Sequence, residues 1–208
     1  DGPVNGGRLA PLIDQGATNL TTISNNCGSG QVGLAALLKA GRVSKVVCSF
    51  PRTANSTVFP ELYRSGRTKL ELVPQGTLAE RIRAGGAGIP AFYTPSAVGT
   101  PLAEGKECRE FGDRKYLLER GIRADCSHIK GRVADTHGNI LHTKTARHFD
   151  PLKAIAPKRT IAQARAIIDP AQPHPTKTSP TGIFVDRVVA IANPAHESEL
   201  VEAGASYP

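Results

Sequence analysis

Three polar side chains and one glycine run carry the chemistry this 208-residue sequence can offer. Asn25, inside Ser24-Asn25-Asn26, is a neutral amide able to donate N–H bonds to a carboxylate or thioester oxygen that an aspartate would repel. Gln75 presents the same amide between Pro74 and Gly76. Arg52, behind Pro51, carries a guanidinium whose fork can grip a carboxylate with two parallel hydrogen bonds. Gly85, Gly86 and Gly88, in the run Gly85-Gly86-Ala87-Gly88-Ile89-Pro90, permit close backbone approach or positive φ. Each has a plainer alternative: an Asx-turn or helix cap for Asn25, and a simple turn for Gln75. For the glycines it is a helix C-cap and turn, and for Arg52 a place on the surface or in an interface.

The elements around these residues place them alike. β-branched and apolar stretches at residues 20–24, 45–50 and 70–73 read as strands, the second a near-continuous apolar run suited to a buried parallel position. Between them lie an apolar helical stretch, residues 34–40, stopped by Gly41, and a helical turn, residues 60–64, closed at Gly66. Thr77 and Glu80 have capping-box spacing and predict a helix to Ala84, stopped at Gly85-Gly86. This alternation is that of an α/β fold with a mostly parallel sheet flanked by helices. In such sheets ligands sit beyond the carboxyl ends of the strands, where Asn25, Arg52 and Gln75 all fall. Further on, residues 125–133 and 140–145 read as two strands around the turn Asp135-Thr136-His137-Gly138-Asn139. Residues 161–168 fit helix or strand, 171–180 are a proline-rich loop, and 182–192 are β-like. The chain is read as one domain over 1–208, with a tail over 193–208.

Composition removes several function classes. The net charge is +8, but the basic residues are scattered and only 5% of residues are aromatic, which is not the clustered footprint of a nucleic-acid binder. A smaller polyanion, such as a phosphorylated cofactor, or an acidic partner fits the charge at least as well. No apolar run approaches the roughly 18 residues of a membrane span, and no signal peptide opens the sequence. The four cysteines, Cys27, Cys48, Cys108 and Cys126, form no C-x-x-C pair, which argues against a zinc site and a disulfide framework. Cys48 and Cys126 lie in apolar stretches that predict buried thiols, and the setting is read as cytoplasmic. The six histidines lack H-E-x-x-H spacing, so no metal is expected; Gly85-Gly86-Ala87-Gly88 does not complete a G-x-G-x-x-G, and there is no phosphate-binding G-x-x-x-x-G-K-[ST] or G-x-S-x-G elbow. A first residue of Asp1 and the absence of methionine lead us to expect an incomplete N-terminal part.

Long stretches are more specific than any of these residues alone. Residues 31–52 (QVGLAALLKAGRVSKVVCSFPR) and 72–99 (LVPQGTLAERIRAGGAGIPAFYTPSAVG) resemble the A subunits of family I CoA-transferases, as do AEGKECREF, KTARHFDP and GIFVDRVV further on. The resemblance runs from Leu20 to Val189 and implies an open, mostly parallel α/β sheet in each subunit. It also implies assembly with a B subunit into an α2β2 complex, and CoA as a substrate rather than a resident cofactor. The reaction it implies is ping-pong: a glutamate within the B subunit's S-E-N-G motif attacks an acyl-CoA thioester and carries the CoA as a glutamyl thioester. This sequence contains no E-N-G, so no catalytic residue is expected in this chain. By the same resemblance Asn25 and Gln75 line the acyl pocket, and Gly85, Gly86 and Gly88 belong to a glycine stretch approaching it. C-S-F-P-R at 48–52 resembles the 3-oxoadipate branch, with succinyl-CoA as donor, and there Arg52 would hold the distal carboxylate of a dicarboxylic acceptor. The stretch Gly6-Gly7-Arg8-Leu9-Ala10-Pro11 is shorter than the family's opening loop and lacks its Phe, and His148 stands where Asn is common. The alternatives are the same chemistry on acetoacetate or acetate, a sugar-phosphate isomerase-like enzyme acting without a partner, and an anion-binding module.

Overall fold

Short apolar strands alternate with short helices from the first described residues onward. The computed structural model describes residues 12–53, 56–142, 146–170 and 179–191. The chain divides into two compact units, with the boundary between Gln75 and Gly76.

The first unit is built from β1 (Leu20–Ile23), α1 (Leu34–Lys39), β2 (Val43–Cys48), α2 (Val58–Arg64) and β3 (Lys69–Leu72). The strands form one parallel sheet in the order β1-β2-β3, with Ile23 beside Val47 and Cys48 beside Leu72. β2 is central and its Val46, Val47 and Cys48 are buried, as a strand covered on both faces requires. Leu34, Leu37 and Leu38 recur at helical spacing and turn one face of α1 inward, onto Val43, Val46, Cys48, Phe59 and Leu62. Each such buried leucine contributes roughly 1.5–3 kcal/mol of hydrophobic stabilisation. Gly41 and Gly66 close the two helices with φ of 70° and 69°.

The second unit follows α3 (Gln75–Gly86) with β4 (Ala91–Thr94), β5 (Cys108–Phe111), β6 (Arg114–Arg120), β7 (Ala124–Lys130), β8 (Val133–Asp135), β9 (Ile140–Leu141), α4 (Ala146–Ile155), β10 (Pro157–Ala164), β11 (Ala166–Ile168) and β12 (Arg187–Ala190). β12-β10-β7 is a wholly parallel sheet, β8 pairs parallel with β11 and antiparallel with β9, and β4-β6-β5 is antiparallel throughout. α4 packs on β7 and β10, and Ala154, Ala162 and Ala164 keep the layers close over Ile129 and Ile140. The sheets are open and mostly parallel with helices against them, as the sequence implied.

Two expectations are corrected, one open reading is decided, and two features are new. α3 begins at Gln75 rather than Thr77, so Thr77 lies buried in the first turn and is no N-cap. Residues 161–168 are strand, divided between β10 and β11. The antiparallel β4-β6-β5 sheet and α4 were not expected. Cys126 is exposed, and the buried partner of Cys48 is Cys27. The stretch Gly6 to Pro11 and the whole tail after Ile191 lie outside the described residues. Among the described residues no helix is long and apolar enough to cross a membrane.

Candidate functional site

Asn25 follows β1 by two residues, Arg52 follows β2 by four and Gln75 follows β3 by three, all in the first unit. Because the three strands are parallel neighbours, all three residues come to the same carboxyl edge of one sheet. Asn25 is half-buried, whereas Arg52 and Gln75 are exposed. Gln75 opens the twelve-residue helix α3, where first-turn N–H groups and the helix dipole favour an anion.

The loop carrying Asn25 is stitched to the end of β2 at alternate residues. The Asn25 carbonyl accepts from the backbone N–H of Ser49 at 3.2 Å and of Phe50 at 2.9 Å. Ser49 Oγ lies 2.8 Å from Asn25 Oδ1 and 3.2 Å from its carbonyl oxygen. Cys27 Sγ and Cys48 Sγ are 3.7 Å apart, and Ser29 Oγ and Thr53 Oγ1 share a bond of 2.8 Å. The bond to Cys48, reinforced by burial, pushes the Cys27 thiol far above the ordinary thiol range, so it stays protonated. Asn26 forms a parallel bridge to Phe50, and its Oδ1 accepts from Gly28 N at 2.9 Å. That last bond is an Asx-turn made by Asn26.

The glycines lie in the second unit. A Cβ on Gly85 would stand 1.8 Å from the Ile122 carbonyl oxygen, and one on Gly86 2.4 Å from Ile155 Cγ1. Gly88, at φ 75°, ends α3: its N–H bonds Gly85 O at 3.3 Å, and Ile89 N bonds Ala84 O at 2.8 Å. This is the Schellman arrangement, the C-cap that the sequence held open.

Two features went unread in the sequence. Ser49 gave no local sign, because its partner is 24 residues away. The spacing Gly28-x-Gly30-x-x-Gly33 between β1 and α1 does match the dinucleotide-binding turn. Here it serves another purpose, since α1 has only six residues and Ser49, not an acid, follows β2. At Gly28, φ is 83° and a Cβ would lie 2.8 Å from Ala35 N, so this glycine lets the loop lie on α1.

The second unit holds a cavity of about 330 Å³ lined by residues 135–138, Ile167 and residues 185–188. Its buried Asp135 is already committed. The carboxylate accepts from His137 N and Asn139 N, each at 2.9 Å, and from Asn139 Nδ2 at 2.6 Å. Burial pushes its pKa up, but these N–H bonds outweigh it and hold the carboxyl below its ordinary value. Asn139 Oδ1 in turn accepts from Gly182 N at 2.8 Å, so the network fixes a turn.

Comparison with known proteins supplies the lineage. The family profile described as Coenzyme A transferase matches residues 9–191. The chain is 52% identical over 187 residues to the A subunit of 3-oxoadipate CoA-transferase from Pseudomonas putida, covering 90% of this chain and 81% of that one. It is 49% identical over 181 residues to the A subunit of a probable succinyl-CoA:3-ketoacid coenzyme A transferase from Bacillus subtilis, covering 87% and 75%. Among solved structures, glutaconate coenzyme A-transferase from Acidaminococcus fermentans shares the fold with a TM-score of 0.76 at 20% identity, over 92% of this chain and 68% of that one. Profile, identity and sheet architecture agree with the stretches singled out in the sequence, and the chain belongs to the coenzyme A transferase family.

Proposed function

We propose that this chain is the A subunit of a CoA-transferase that moves CoA from succinyl-CoA to 3-oxoadipate, with both compact units forming one transferase domain. The observation that carries the reading is the carboxyl edge of the first sheet. It presents two amides and a guanidinium, the groups suited to acyl and carboxylate oxygens, in a chain that has no E-N-G nucleophile of its own. The likeness to the P. putida relative, named for 3-oxoadipate, supports the acceptor.

In this reading the B subunit's glutamate attacks the thioester carbonyl, and negative charge gathers on the carbonyl oxygen. Asn25 and Gln75 donate N–H bonds to that oxygen or to the acid's carboxylate. One such preorganised donor is worth ~3 kcal/mol of transition-state stabilisation. Collapse expels CoA thiolate and leaves a mixed anhydride. The thiolate then attacks the glutamyl carbonyl, releasing succinate and giving a glutamyl-CoA thioester, and the acceptor acid takes the CoA by the same steps in reverse. Arg52 grips the distal carboxylate of the acceptor. Gly85, Gly86 and Gly88 take part through backbone approach, as the family resemblance has it, in addition to the packing roles described above. The complex is of α2β2 type and cytoplasmic, and CoA passes through it as a substrate.

The test is reconstitution. The purified chain with succinyl-CoA and 3-oxoadipate should give no transfer, and adding a B subunit should start it. Rapid transfer by the isolated chain would refute the assignment. The B. subtilis relative, named for 3-ketoacids, favours a second reading with acetoacetate as acceptor. The ratio of kcat/KM for 3-oxoadipate and acetoacetate in the reconstituted complex decides between them.

A further inference from the structure

Two buried thiols face each other below the carboxyl edge of the first sheet, and the transfer makes no use of them. Cys27 lies two residues beyond Asn25 in the loop after β1, and Cys48 is the last residue of β2. Their sulfurs stand 3.7 Å apart, with the residues 1% and 0% exposed. Packing asks nothing of this pair that two other small apolar side chains could not supply. What thiols add is a bond that can be made and broken.

The backbone around the pair has the spacing such a bond needs. Asn26, next to Cys27, bridges Phe50 in parallel register, and the Asn25 carbonyl accepts from Ser49 N at 3.2 Å and Phe50 N at 2.9 Å. Strands paired in this way run about 4.8 Å apart. Disulfides span Cα separations of about 4.4–6.8 Å, so the rung beside the pair falls within their reach. Closing the bond brings the sulfurs from 3.7 Å to ~2.05 Å, an approach of about 1.7 Å. The two thiols are also unequal. The hydrogen bond from Cys27, helped by the N–H of Phe50, holds Cys48 below the ordinary thiol range against the effect of burial, while Cys27 keeps its proton. Burial shuts out bulky reagents and leaves small hydroperoxides as the oxidants that can reach the pair.

We propose that Cys27 and Cys48 form a reversible oxidation site for small hydroperoxides, whose disulfide draws the Asn25 loop onto β2 and slows turnover. Cys48, as thiolate, attacks one peroxide oxygen and becomes a sulfenic acid, and the other oxygen leaves as water or alcohol with the proton Cys48 gave up. The Cys27 sulfur then attacks the sulfenic sulfur and expels hydroxide, which departs as water with the Cys27 proton. Each sulfur gives up one electron and the peroxide takes both. In a reducing compartment such a bond is transient, as a sensor requires. The effect on turnover rests on the proposed role of this edge in CoA transfer; the disulfide does not.

For the test, the isolated chain is treated with hydrogen peroxide, desalted, unfolded and alkylated. Peptide mapping should find Cys27 and Cys48 joined, and dithiothreitol should return both thiols. Mixed with a B-type partner, the oxidised chain should turn over about tenfold more slowly than the reduced chain, since small displacements near reacting groups are costly. Dithiothreitol should restore the rate. Cys48→Ala, or Cys48→Ser should that variant not fold, should keep its own rate after the same treatment. Removing the exposed thiols, by Cys108→Ser with Cys126→Ser, should leave the response intact. Oxidation confined to Cys108 and Cys126, or a Cys27–Cys48 disulfide with unchanged turnover, would overturn the proposal. A reduced chain that gives no transfer with its partner would refute the role in CoA transfer and the effect on turnover with it, while the peptide map still decides the oxidation site.

Discussion

Neutral amides at the carboxyl edge of the first sheet differ from carboxylates in the sign of what they offer. In the proposed reading, CoA transfer between carboxylic acids would bring negative charge to that edge, and Asn25 and Gln75 would meet it with donors at no Coulombic cost. We expect Asn25→Ala and Gln75→Ala each to lower kcat about 10²-fold with the complex intact. Asn25→Asp should be slower still, since it places a second anion beside the first. Turnover assays on the three variants check this, and an Asp variant faster than the Ala variant would contradict it. In the same reading Arg52 would add selectivity rather than rate. Exposed beyond β2, it suits the second carboxylate of a dicarboxylic acceptor, for which a lysine lacks the paired donors. Arg52→Ala should raise KM for 3-oxoadipate by about tenfold or more and leave KM for acetoacetate nearly unchanged. Equal losses for both acids would move Arg52 from the acceptor to assembly or CoA binding.

At the scale of elements the glycines of α3 make the sharpest contrast. Helix propensity alone says Gly85→Ala should stabilise by about 1 kcal/mol. The contact says the opposite: the new Cβ would meet the Ile122 carbonyl oxygen at 1.8 Å, backbone against backbone, where neither side can swing away. We expect a loss of about 3 kcal/mol in denaturant unfolding of Gly85→Ala. Gly88→Ala, with open space around it but φ at 75°, should lose only about 1–2 kcal/mol. A Gly85→Ala protein as stable as wild type would mean that α3 does not lie this close to Ile122. The same elements show what could be read beforehand. β1, α1, β2, α2 and β3 were legible to within two or three residues, because Leu34, Leu37 and Leu38 keep helical spacing and Val46, Val47 and Cys48 form an unbroken apolar run. The β5–β6 hairpin was not, because β5 is exposed along its whole length and shows no apolar alternation. α4 was hidden by Pro151 inside it and by its charged side chains. Asn25, Arg52 and Gln75 could be placed at strand ends from the sequence. The bond from Ser49 could not, because it is made across a strand pairing rather than along the chain.

For the molecule as a whole, charge sets the terms on which the fold survives acid. With 26 basic and 18 acidic residues the chain already carries +8 at neutral pH, so protonating carboxylates and histidines on the way down adds to an unbalanced excess. One histidine adds a local penalty to this general one. His142 follows β9 with its side chain 1% exposed, its Nδ1 3.8 Å from Asp150 Oδ2. Burial depresses its pKa below the ordinary 6.5, against the opposing pull of Asp150 and the backbone of Lys130, and Arg147 and Lys153 lower it further. The folded protein therefore favours neutral His142, while the unfolded chain takes up the proton near the ordinary value. The contribution to stability is fully present above pH 6.5 and is lost as pH falls below it, down to the depressed folded value. One proton can change stability by at most about 1.4 kcal/mol per pH unit. Urea unfolding at pH 7.5 and 5.5 should show the wild-type chain losing about 1 kcal/mol more than His142→Leu over that interval, whatever the two proteins' absolute stabilities. Charge repulsion is common to both proteins and cancels in the comparison. Parallel losses in the two would show that the acid sensitivity comes from net charge and not from the burial of this ring.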